Sequence, residues 1–108
     1  MGNGKGWAHP IHMHGHSFHV VKMGYPTYDP ETGRVERYLE IYINSAIDTI
    51  IIPTGGYVVL RIKADNPGVR LMHCHIELHS MDGMILMFNE SFARQPTAPS
   101  DLFKCGDF

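Results

Sequence analysis

An all-β chain folded as a two-sheet Greek-key sandwich is the class this sequence predicts, on three observations. Apolar residues alternate at the period of strands along most of the chain, clusters of glycine and proline interrupt those runs at short intervals, and no segment sustains a helical period. The residues with the strongest chemistry lie in two distant segments, which long-range strand pairing would bring together.

Ser17 to Met23 alternates with Phe18 and Val20 on one face, and is expected to be the first strand. Tyr25 to Gly33, with Pro26, Pro30 and Gly33, predicts a loop. Tyr38 to Ile43 alternates through Leu39, Ile41 and Ile43, and Ile47 to Ile52 is rich in β-branched isoleucine. After the breaker Pro53-Thr54-Gly55-Gly56, Tyr57 to Ala64 puts Val58, Leu60, Ile62 and Ala64 on one side, with Tyr57, Arg61 and Lys63 on the other. A second breaker, Asp65-Asn66-Pro67-Gly68, precedes strands at Val69 to His75 and Met84 to Phe88, for six in all. Between the last two, Ile76 to Ser80 is expected to form a single helical turn. From Ala93, with Pro96 and Pro99, the tail reads as irregular, which divides the chain into a domain at 1–92 and a tail at 93–108.

Composition narrows the function classes. A chain of 108 residues suffices for one core, and a formal charge of -2 offers no basic patch for nucleic acid. The longest apolar runs are far too short to span a bilayer, and Met1 to Gly6 lacks the apolar stretch of a signal peptide. Neither a nucleic-acid nor a membrane partner is expected.

The chemistry is concentrated in histidine: of the eight in the chain, seven fall within His9–His16 and His73–His79. Cys74, His79 and Met84 follow one another in the ligand order of a blue copper site, where a thiolate and two imidazoles bind closely and a thioether binds at longer range. His9 can supply the second imidazole. In an extended strand Cys74 points one way while His73 and His75 point the other, so one tripeptide addresses two metal sites. His12 and His14 share that spacing and can bring two more imidazoles to the second face. Zinc uses the same donors, but a structural zinc site would show paired cysteines, and a thioether donor favours copper. Catalysis by Cys74 with a neighbouring histidine base fails on the same alternation, because the two side chains diverge.

His9-Pro10-Ile11-His12-Met13-His14-Gly15-His16 followed by Phe18, and His73-Cys74-His75 followed by His79 and Gly83-Met84, resemble the two C-terminal copper motifs of multicopper oxidases, most closely the laccase-type members. The resemblance runs from Trp7 to Phe88 with one gap. It implies a cupredoxin (plastocyanin-like) sandwich. It also implies His9, Cys74 and His79 as type 1 ligands with Met84 axial, His12 as the type 2 ligand, and His14, His73 and His75 as type 3 ligands. His16 is left as an outer partner or pocket-lining residue on one reading and a structural residue on the other; His19 is expected to be structural. Met72, Met81 and Met87 are expected to be packing residues rather than a cuprous relay.

By the same resemblance, the function is copper-dependent oxidation of a small reducing substrate (a phenol, aromatic amine or metal ion) with reduction of O2 to water, in a secreted protein. His73, Cys74 and His75 are its electron path. In that family half of the trinuclear cluster's histidines come from another cupredoxin domain, so an isolated chain is expected to be inactive. The competing class is a single-domain blue-copper electron carrier, for which His12, His14, His73 and His75 would be surplus. Relative to the family the sequence is expected to lack N-terminal strands. With Cys74 committed to metal, Cys105 is left either to bridge to another domain or as a free surface thiol.

Overall fold

A computed structural model describes residues 6–100. Its elements are β1 (His9–Met13), β2 (Phe18–Tyr28), β3 (Val35–Ile47), β4 (Thr49–Ile52), β5 (Tyr57–Arg61), β6 (Gly68–Cys74), a short helix α1 (Glu77–Met81) and β7 (Ile85–Glu90), followed by a 3-10 turn at Phe92–Arg94. The strands form two antiparallel sheets, ordered β4-β1-β6-β7 and β3-β2-β5, as the predicted sandwich requires. Cys105 lies outside the described residues.

The apolar faces meet where the alternation says they should. Phe18 and Val20 are buried in β2, Met13 joins them from β1, and Val58, Leu60 and Ile62 pack against the three. Glycine is required at Gly24, where the Tyr57 ring lies so close that any side chain would collide with it.

The sequence reading needs four corrections. The first histidine segment is itself a strand, β1, between β4 and β6, so the described residues hold seven strands rather than six. Its Pro10 and two histidines hide the usual strand composition, and tertiary pairing overrides it. The expected loop from Tyr25 to Gly33 is shorter than read: β2 continues through its first four residues to Tyr28, pairing Pro26 with Tyr38, and the loop proper begins at Asp29. Proline is tolerated there because the pairing of β2 with β5 has ended at Gly24, leaving that edge of Pro26 without a ladder bond to make. The chain reverses at Asp29, whose Oδ1 accepts from the backbone of Glu31 at 2.8 Å and Thr32 at 2.7 Å, while Gly33 adopts a positive φ of 68°. The helical turn is offset by one residue, at Glu77–Met81. Finally, Met81 and Met87 are 77% and 68% exposed and are not packing residues here, whereas Met72 does pack on the core.

Candidate metal centre

Register decides which histidines meet. Pairing of β1 with β6 sets Ile11 opposite Cys74, His12 opposite His73 and Met13 opposite Met72. Directly paired residues share a face, so Cys74 belongs with His9, Ile11 and Met13 on the core side, and His12 and His73 belong on the other side. A slip of one residue would exchange every one of these assignments. The backbone holds the register beyond the ladder, with His75 N–H donating to the Pro10 carbonyl at 2.7 Å and His14 N–H to that of Leu71 at 2.8 Å.

On the core side, Cys74 is fully buried and its Sγ lies 3.6 Å from His9 Nδ1 and 3.6 Å from His79 Nδ1, with the two nitrogens 3.1 Å apart. Donors bound to one first-row ion at about 2.0 Å for nitrogen and 2.3 Å for sulfur stand roughly 3.3–3.5 Å (N to N) and 3.5–3.7 Å (S to N) apart. The two S–N separations fall in that range and the N–N separation is only about 0.2 Å shorter than its range, so the triad fits a single metal ion with a slightly narrowed N–metal–N angle. His79 reaches this point because α1 turns the chain back after β6. Met84 follows by backbone: its N–H donates to the His79 carbonyl at 3.0 Å and its carbonyl accepts from Cys74 N–H at 3.0 Å. Its side chain helps line an apolar cavity of about 260 Å³ with Ile11, Met72 and Ile85.

On the opposite face the rings of His12, His14, His73 and His75 gather, with centroids 4.9 to 6.0 Å apart in the contacts they make. His14 Nε2 and His73 Nε2 approach to 3.2 Å. Two of the rings have their tautomers set by neighbours. His12 Nδ1 sits 2.9 Å from the Asp48 carbonyl, which can only accept, so Nδ1 carries the proton and Nε2 is left as a donor atom for a metal. Thr49 Oγ1, also at 2.9 Å, reinforces that orientation. His73 repeats the arrangement, its Nδ1–H donating to the Cys74 carbonyl at 3.0 Å.

The remaining histidines sit apart. His16 Nε2 meets Glu90 Oε2 at 2.6 Å, both side chains being nearly buried, and the other Glu90 oxygen accepts Asn66 N–H at 2.6 Å. This pair binds the segment after β1 to the end of β7, and neither imidazole cluster takes part. His19 is exposed on β2. Sequence reasoning missed Asp48, Thr49 and Ser80 as supports of the imidazoles. Their contacts are with residues 36, 37 and 7 positions away, and no spacing rule signals them.

A buried cysteine sulfur between two imidazoles inside a two-sheet β-sandwich defines a cupredoxin-type metal domain, and the second histidine face narrows that class further. The family model described as multicopper oxidase matches residues 1–93, and the chain belongs to that family. It is 40% identical to Laccase-6 of Arabidopsis thaliana over 102 residues, covering 90% of this chain and 17% of that protein. With Putative laccase-5 of Oryza sativa subsp. japonica it shares 40% identity over 103 residues, 91% of this chain and 18% of the relative. Among solved structures, the laccase from Botrytis aclada matches with a TM-score of 0.67 and 31% identity, over 88% of this chain and 17% of that one. Fet3p, a multicopper oxidase that functions in iron import, matches at 0.61 and 32%, over 79% and 17%. The chain thus spans about a sixth of the length of the proteins it resembles.

Proposed function

We propose that this chain is the C-terminal copper domain of a laccase-like oxidase, in which His9, Cys74 and His79 would hold a type 1 copper and Met84 would be its weaker fourth donor. His12 is then the type 2 ligand and His14, His73 and His75 are type 3 ligands. The observation that carries this reading is the division of one strand end between two donor sets: the Cys74 triad with separations of 3.1 and 3.6 Å on one face, and four clustered imidazoles on the other. Bound copper supplies one-electron redox chemistry, which in a laccase-like oxidase links oxidation of phenols, aromatic amines or metal ions to reduction of O2 to water.

The chain's own part is to hold and orient. Burial of Cys74 keeps water from the thiolate, and His9 and His79 present their Nδ1 atoms to the same point. His12 and His73 have Nδ1–H fixed by carbonyls, which turns Nε2 outward for metal. Cys74 is covalently continuous with His73 and His75, so the tripeptide is the shortest bonded path between the two faces. The four far-face imidazoles are half of a trinuclear site, and a second cupredoxin domain is the partner that completes it. Secretion accompanies this reading. A single-domain carrier would have no use for the far-face cluster, which ranks that reading second.

Titration of the chain with Cu(II) tests the assignment. An intense visible thiolate-to-copper band is expected, and Cys74→Ser should abolish it; persistence of the band in that variant would sink the type 1 assignment. Zinc, which is d10 and cannot give such a band, is separated by the same measurement.

A further inference from the structure

The short helix α1 has five residues, too few to be stable alone, and its N-cap residue Ile76 makes no side-chain cap. Something must fix it, because its His79 has to meet Cys74. Within the helix, Ser80 N–H donates to the Ile76 carbonyl at 3.1 Å. The side chain of Ser80 does more: its hydroxyl donates to the carbonyl of Cys74, the last residue of β6. That same carbonyl accepts His73 Nδ1–H at 3.0 Å, and Ser80 Oγ lies 3.4 Å from His73 Nδ1. One acceptor with two lone pairs is therefore shared by the helix that carries a core-face imidazole and by an imidazole of the opposite face.

We propose that Ser80 is a positioning residue whose hydroxyl ties α1 to the Cys74 carbonyl and thereby links the placement of His79 on the thiolate face to the orientation of His73 on the other. The inference rests on the copper reading of the Cys74 triad, although its effect on His73 needs no metal. Without the hydroxyl, α1 loses its side-chain tether to β6 and His79 approaches Cys74 less consistently. The carbonyl also becomes wholly available to His73 Nδ1–H, which strengthens that bond and turns the ring.

Two readouts on the full chain test this. Ser80→Ala should weaken Cu(II) binding at the triad roughly three- to tenfold, the loss expected for one hydrogen bond of ordinary strength. In the metal-free protein it should also shift the ring 15N resonances of His73, and Ser80→Thr should restore both. Should Ser80→Ala fail to fold, the isosteric pair Ser80→Thr and Ser80→Val, differing by the hydroxyl alone, must show the same two differences. Unchanged affinity would overturn the tether, and a weakened affinity with unmoved His73 resonances would overturn the link between faces. Absence of the visible band in the unmodified chain is a different result: it removes the copper reading and leaves the His73 measurement standing.

Discussion

Met84 sits where its backbone is bonded to both the His79 and the Cys74 segments, so its position follows theirs whatever its side chain does. If the thioether is a weak axial donor, Met84→Leu should leave copper bound through the three short-range ligands and raise the reduction potential, since a donor that favours Cu(II) is lost. The volumes are close and Met84 is 38% exposed, so the cost to stability should stay under about 1.5 kcal/mol. Redox titration of the two proteins measures the shift, and equal potentials would make Met84 a packing residue. At the same scale Asp48 and Thr49 act on an imidazole proposed as a ligand. They set the His12 tautomer from outside the donor set.

Among the elements, the long pair of β2 and β3 carries its own electrostatics. Glu40 on β3 accepts from Lys22 Nζ at 2.7 Å, from Tyr57 Oη, and from Tyr42 Oη at 3.1 Å. The hydrogen bond from Lys22, followed by those from Tyr57 and Tyr42, holds the Glu40 carboxyl down at about 2, from an ordinary 4.5. A carboxylate whose pKa is depressed on folding stabilises the fold above its unfolded pKa, and that contribution fades as pH falls through the folded value. Stability of the β3-β2-β5 sheet should therefore decline between about pH 4.5 and about 2. Glu40→Gln should flatten that part of the profile, and thermal melts across the range check it. Both side chains remain in contact with solvent, so the effect should shrink in high salt.

Over the whole molecule the described core is small. Its buried apolar residues are Met13, Phe18, Val20, Met23 and Cys74, while Leu39, Ile41, Ile51, Ile85, Leu86 and Met87 are each at least half exposed. The radius of gyration is 18.0 Å, where a compact chain of this length would have about 13 Å. If the far-face imidazoles are half of a cluster, as proposed, the monomeric chain should bind one copper tightly and consume no oxygen when given a phenolic donor. Copper content and oxygen uptake, followed against oligomeric state by sedimentation, provide the check; sustained oxygen reduction by a monomer would contradict the half-site reading.

The order and spacing of His9, His12, His14, His73, Cys74, His75, His79 and Met84 were legible in the sequence, and so was the division of Cys74 from His73 and His75 between two faces. Alternation in a strand is a local property that needs no partner. The inward rows Phe18–Val20 and Val58–Leu60–Ile62 were legible for the same reason, and packing bore them out. The strand character of His9–Met13 was not legible, since its own residues do not favour it and it exists through pairing with β4 and β6. Nor were the supports from Asp48, Thr49 and Ser80, or the buried His16–Glu90 pair, whose partners stand 74 positions apart. By itself the sequence determined which donors this protein has and which way they alternate. The tertiary structure alone decided which carbonyls and hydroxyls hold them in place, because register and side-chain hydrogen bonds arise only when distant strands meet.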